Sequence, residues 1–160
     1  LPLDDSTPLA FLTQTTLSVD DTAEIVAALR ARFPLILAPR GEDICYATSN
    51  RQAAVKAITE RAEAVFVIGS PNSSNSLRLA EVAERANVPA RLIGRADEID
   101  FDWLGSPKVV GITAGASAPE ILVREVVAKL ATRFAITEEE VTTATESMVF
   151  KLPRALLDNG

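Results

Sequence analysis

Three stretches of this sequence concentrate hydroxyl and carboxamide side chains in a way that suits anion binding. They are Thr13-Gln14-Thr15-Thr16-Leu17-Ser18, Gly69-Ser70-Pro71-Asn72-Ser73-Ser74-Asn75-Ser76 and Thr113-Ala114-Gly115-Ala116-Ser117-Ala118-Pro119-Glu120. Each follows a short apolar run and precedes a segment of helical periodicity. A turn of that kind sits at a helix N-terminus, where unpaired N–H groups and the positive end of the dipole attract negative charge. Hydroxyls and carboxamides add donors without adding charge, so a phosphate or diphosphate is the natural ligand. The same residue types are also the usual helix N-caps. Ser117-Ala118-Pro119-Glu120 and Ser18-Val19-Asp20-Asp21 have capping-box spacing, the second with Asp in place of Glu. Capping needs one hydroxyl, whereas Asn72–Ser76 is polar at every position. No loop carries a Walker or dinucleotide fingerprint, so a nucleotide is not indicated.

The other candidate is Cys45, the only cysteine, in Glu42-Asp43-Ile44-Cys45-Tyr46-Ala47-Thr48-Ser49-Asn50. It precedes a helix expected to start near Arg51. A thiolate at a helix N-terminus is stabilised by the dipole, which makes this thiol a candidate nucleophile or metal ligand. A small buried hydrophobe is the bland alternative. The chain has no histidine to act as its base, and one cysteine does not hold an iron–sulfur cluster by itself.

The elements that position these residues follow from periodicity. Leu9–Leu12, Leu35–Ala38, Val65–Ile68, Ala90–Ile93 and Val109–Ile112 read as short buried strands, the fourth weakened by Arg91. Between them, Ile25, Ala28, Leu29 and Phe33 mark one helix, and Val55, Ile58 and Ala62 a second. Leu79, Val82, Ala83 and Ala86 mark a third, and Val123, Val126, Val127 and Leu130 a fourth. Pro34 ends the first of these, and Asn87 with Pro89 ends the third. Strand and helix alternate, which predicts an α/β fold with a three-layer, mostly parallel sheet. A domain break is expected near Arg40–Asp43. This gives an incomplete strand–helix–strand unit over 1–41, a fuller α/β domain over 42–131 and a tail over 132–160. The tail is expected either to wrap another part of the molecule, with one strand at Met148–Leu152, or to be a semi-ordered terminus.

Composition narrows the function. The chain has 160 residues, 48% hydrophobic and 24% charged, enough for a real core. Sixteen Lys and Arg against 22 Asp and Glu leave a net charge of −6, a poor match to nucleic acid or an anionic membrane. The absence of histidine excludes His catalysis and His metal ligation within the chain. The lone cysteine excludes an intrachain disulfide. No apolar run reaches membrane-spanning length, and a cytoplasmic location is expected.

The four motifs together, Thr13–Thr22, Asp43–Thr48 with Asn50–Gln52, Asn72–Ser76 and Thr113–Pro119, resemble the hydroxymethylbutenyl diphosphate reductases. These form the IspH or LytB family of the non-mevalonate isoprenoid pathway, and the resemblance runs from about Leu9 to Ala131. It implies three α/β domains around a central 4Fe–4S cluster held by three cysteines. The reaction it implies is reductive removal of the allylic hydroxyl of 4-hydroxy-3-methylbut-2-enyl diphosphate, giving isopentenyl and dimethylallyl diphosphates. Reduced ferredoxin or flavodoxin would be the electron donor. By resemblance Cys45 is one of the three cluster cysteines, and Ser73, Ser74, Asn75 and Ser117 bind the diphosphate. Thr15 stands by the substrate hydroxyl in the proton-delivery network. The family's other two cysteines, its substrate-binding histidines and its catalytic glutamate have no counterpart here. The chain is therefore read as the C-terminal half of such an enzyme, expected by itself to lack the cluster and activity. The rival expectation is a stand-alone anion-binding α/β module without a redox role.

Overall fold

Ala64–Ile68 carries no polar side chain, and a strand of that kind is stable only with both faces covered. The computed structural model describes residues 3–4, 7–39 and 43–144 and puts this strand at the centre of a three-stranded parallel sheet. The strand, β1 (Ala64–Ile68), is buried at every position. Its neighbours are β2 (Ala90–Ile93) and β3 (Val110–Ala114), in the order β2-β1-β3. Val65 lies opposite Ala90 and Gly111, and Ile68 opposite Ile93 and Ala114. Arg91 fits within β2 because its guanidinium stacks 4.6 Å from the Trp103 ring centroid and pairs with Asp100 at 2.7 Å.

The helices are α1 (Val19–Arg32), α2 (Tyr46–Thr59), α3 (Ser74–Arg85), the single turn α4 (Phe101–Leu104) and α5 (Glu120–Ala131). On one face of the sheet, Val55 of α2 and Leu79, Val82 and Ala83 of α3 pack with Val65 and Val67. On the other, Leu104 of α4 and Val126 and Leu130 of α5 pack with Phe66 and Ile68. The period-2 alternation along β1 thus feeds two cores, and the result is the expected three-layer α/β arrangement. The α3 helix stops at Asn87, whose positive φ of 61° turns the chain toward Pro89.

Several expectations need correction. Leu9–Leu12 and Leu35–Ala38 are not strands of a sheet. They meet in one parallel bridge, Ala10 to Leu37, with Phe11 N donating to Leu37 O at 3.1 Å and Leu37 N to Leu9 O at 2.8 Å. Among the described residues no further strand lies beside them, and Leu12, Leu35 and Leu37 stay 83%, 80% and 67% exposed. The α1 helix starts where expected, with Ser18 Oγ accepting from Asp21 N at 3.2 Å, yet it buries none of its own residues. Its sealed neighbours are Ser18, the N-cap, and Phe33, just past its end.

The α2 helix starts at Tyr46 and not near Arg51. Thr48 N and Ser49 N donate to Cys45 O at 2.8 and 3.0 Å, so the polar run that resembled a loop is the helix's first turn. Ser117 is not the cap of α5. Pro119 holds that position without a side-chain bond, because Ala118 N turns back to Gly115 O at 3.0 Å and ends the loop later. In the tail, Glu139 pairs with Arg61 of the segment after α2 at 2.8 Å. The strand expected at Met148–Leu152, and all but Asp43 of the break expected near Arg40–Asp43, lie outside the described residues. Among the described residues no helix is long and apolar enough to cross a membrane.

Candidate functional site

The order β2-β1-β3 creates a parting of the ways at β1. The chain leaves β1 through α3 toward β2 on one side, while β3 sits on the other. In a parallel sheet that point opens a crevice at the carboxyl ends of the strands. The loops there are 69–73 after β1 and 115–119 after β3. Gly115 N donates to Ile68 O at 2.9 Å, and Gly69 N donates to Ile93 O at 2.9 Å. The buried Ser76 hydroxymethyl stands between the two glycines, and a Cβ on either would fall inside contact distance of its Oγ. Glycine at both positions lets the loops close onto the first turn of α3.

That first turn holds the donors. Ser73 is the N-cap of α3, and its Oγ accepts from Ser76 N at 3.3 Å and from Ser76 Oγ at 3.1 Å. Ser73 therefore keeps its own hydroxyl proton for another partner. Asn75 is 7% exposed and lies beside Gly115, yet neither its Nδ2 nor its Oδ1 has a partner among the described residues. Leaving a buried polar group unpaired costs about 1–3 kcal/mol, and this carboxamide has donor and acceptor capacity for a group from outside the chain. Ser74 and Ser117 are exposed, and no hydrogen bond engages their hydroxyls among the described residues. Arg78, one turn further along α3, is committed to Asp21 at 3.6 Å and to Glu81. Neutral donors at a helix N-terminus are an arrangement that can attract anions.

A second group forms around α2. Cys45 is the N-cap of α2; it is exposed, and its thiol makes no capping bond. Its N–H donates to Thr15 O at 3.1 Å, which brings these two sequence-predicted residues together. Asp43 accepts from Thr13 N at 2.8 Å and Thr13 Oγ1 at 3.2 Å. Arg51 and Ala54 of α2 share a cleft with Thr113 and Ala114 at the end of β3, whereas Ile58 stands against Gly111 near its start. The α2 helix thus runs antiparallel to β3. Its N-terminus, with Cys45 and Thr15, points toward the end of the sheet that carries Ser73, Asn75 and Ser117.

Sequence reasoning included Ser76, Asp43 and Gln52 in its motifs but gave them no role of their own. The signal for Ser76 was available: both strands end in glycine, and paired glycines at strand ends mark a close approach. Asp43 and Gln52 act through contacts with residues 13–19, which no local pattern reveals. Among the described residues no group of three or more Cys, Asp or Glu is placed to hold a metal. Cys45, exposed at a helix start, fits one thiolate position of an iron–sulfur cluster, and the described residues do not complete the set.

The family model described as LytB protein matches residues 2–131. The chain belongs to the LytB protein family. This LytB chain is 62% identical over 152 residues to a 4-hydroxy-3-methylbut-2-enyl diphosphate reductase of Phenylobacterium zucineum, covering 95% of the chain and 48% of that protein. A reductase of the same name from Paracoccus denitrificans is 60% identical, with 92% of the chain and 47% of the relative covered. Among solved structures, the E-1-hydroxy-2-methyl-but-2-enyl-4-diphosphate reductase of Plasmodium falciparum matches 99% of the chain and 50% of its own length. Its identity is 33% and the TM-score 0.81. The chain spans about half the length of the curated relatives it matches.

Proposed function

We propose that this chain is the C-terminal half of a 4-hydroxy-3-methylbut-2-enyl diphosphate reductase, supplying the diphosphate site and one cluster thiolate. In this reading residues 1–41 end the middle domain, 42–131 form the third and 132–160 the tail, in a cytoplasmic enzyme. The observation that carries it is Asn75: a buried carboxamide without a partner among the described residues, in the first turn of α3, at the sheet's topological switch point. Ser73, Ser74 and Ser117 hydroxyls and Asn75 Nδ2 donate to the diphosphate oxygens, and the α3 dipole adds to their pull. Charge-assisted bonds of this kind orient the substrate by its inert end, which leaves the allylic end to the region of Thr15 and Cys45.

The reaction takes up two electrons and two protons, breaks the allylic C–O bond and releases the hydroxyl as water. A 4Fe–4S cluster, when bound, would supply the electrons, received from reduced ferredoxin or flavodoxin, with Cys45 as one of its thiolate ligands. Thr15 Oγ1, exposed beside Cys45, holds a proton next to the departing hydroxyl. The decisive experiment is anaerobic assay of the full-length gene product with the allylic diphosphate and a chemical reductant. Turnover to both isomeric diphosphates, with about four irons per chain, is the expected result. Diphosphate binding without iron or turnover would identify a stand-alone anion-binding module instead.

A further inference from the structure

Gln52 lies in the second turn of α2 with 2% of its surface exposed, and its carboxamide reaches across to another segment. Oε1 accepts from Val19 N at 3.0 Å, and Nε2 donates to Leu17 O at 2.9 Å. The two bonds straddle Ser18. Val19 N belongs to the first turn of α1, where no helical carbonyl reaches it, so Gln52 caps α1 from a different helix. The 13–18 loop is also tied from Thr13 to Asp43 and from Thr15 O to Cys45 N, and both ties run to the residues leading into α2. Gln52 is the buried member of the three and holds both the donor and the acceptor of its bonds. Because Thr15 and Cys45 are bonded through their backbones, any slip of this loop along α2 displaces one against the other.

We infer that Gln52 is a positioning residue: it fixes where the Thr15 hydroxyl stands relative to the Cys45 thiol. This rests on the functional reading above. It goes further by assigning the alignment of the two groups to a side chain that touches neither.

The test has two parts. In the 160-residue chain, Gln52→Leu keeps the volume and removes both bonds. Amides of residues 15–19 should then exchange with solvent about tenfold faster or more, while those of β1 keep their protection. In the full-length enzyme the same substitution should lower kcat by about 10- to 100-fold, with KM for the allylic diphosphate within about twofold and iron content as in wild type. Gln52→Glu supplies the signature. At neutral pH its carboxylate faces Leu17 O and the defect matches that of Leu. On acidification the protonated carboxyl donates to Leu17 O, so its kcat relative to wild type recovers, whereas that of Gln52→Leu does not. If Gln52→Leu fails to fold, the pH series of Gln52→Glu decides. Unchanged loop exchange, a lower Tm with unchanged kcat per iron, or a raised KM with unchanged kcat would each overturn the assignment. A wild-type enzyme without turnover would remove the functional reading itself, whereas active wild type beside equally active variants removes only the role of Gln52.

Discussion

Residues 9–38 and residues 64–131 are written in the same alternating pattern, and the two become different kinds of structure. In the second region β1 has a strand on each edge and helices on each face, so its apolar side chains disappear into two cores. In the first, two apolar runs touch at one bridge and α1 turns Ile25 toward solvent. Polar ties fasten the first region to α3 of the second and to the intervening α2. Asp21 of α1 pairs with Arg85 of α3, one of the two contacts at 2.8 Å, Asp20 pairs with Lys56 at 2.7 Å, and Gln52 holds the loop before α1. Periodicity states which surface an element offers; it does not state whether the covering surface is present in the same chain. Burial drives one region, and placement by hydrogen bonds and ion pairs governs the other.

The sharpest way to break this comparison is to remove equivalent apolar bulk from each region. Phe66→Ala should cost about 3–5 kcal/mol in denaturant unfolding, because a fully buried ring leaves a cavity. Leu35→Ala should change stability by less than about 0.5 kcal/mol. Equal costs would mean that the first region has a core of its own.

A smaller effect separates binding from architecture within the second region. Asn75→Ala should weaken diphosphate binding, measured by calorimetry, by about 1–3 kcal/mol, with no loss of stability since no internal bond is broken. Ser117→Ala should likewise weaken binding and spare stability, because Ser117 is not the N-cap of α5. Loss of stability with unchanged affinity would return these side chains to a purely structural role.

The smallest effect probes the joint. The hydrogen bond from Arg85, helped by the charges of Arg85 and Arg78 and opposed by partial desolvation, holds the Asp21 carboxyl below its ordinary value of 3.8. A lowered folded value means that the ion pair stabilises fully above that ordinary value. The contribution is lost as pH falls through the lowered one. The stability difference between wild type and Asp21→Asn should therefore be flat near neutrality and shrink only below about pH 4. A difference that shrinks well above pH 5 would point to another group.

Much of this was legible in the chain. The apolar runs at 65–68 and 90–93 lie within β1 and β2, and the Ser18 cap fixed the start of α1. The order of the strands was not readable, since parallel pairing depends on contacts distant in sequence. The start of α2 was misread because Thr48, Ser49 and Asn50 have the composition of a turn, and the tertiary setting outweighed that local preference. The site's donors were visible as residue types. That Asn75 is buried with nothing to bond, and that Gln52 spans two helices, are properties of packing alone.

Gly69, Gly115 and Ser76 compete for one small volume, and this makes their substitutions epistatic. An alanine at either glycine position is a steric error only while residue 76 carries its hydroxymethyl group. In a Ser76→Gly background the same alanine meets far less resistance, so the paired changes cost less than their sum. Inherited variation at this end of the sheet is therefore constrained in sets and not site by site. A path from one tolerated combination to another runs through residue 76 first, at the expense of the hydrogen bond that Ser76 Oγ gives to Ser73 Oγ.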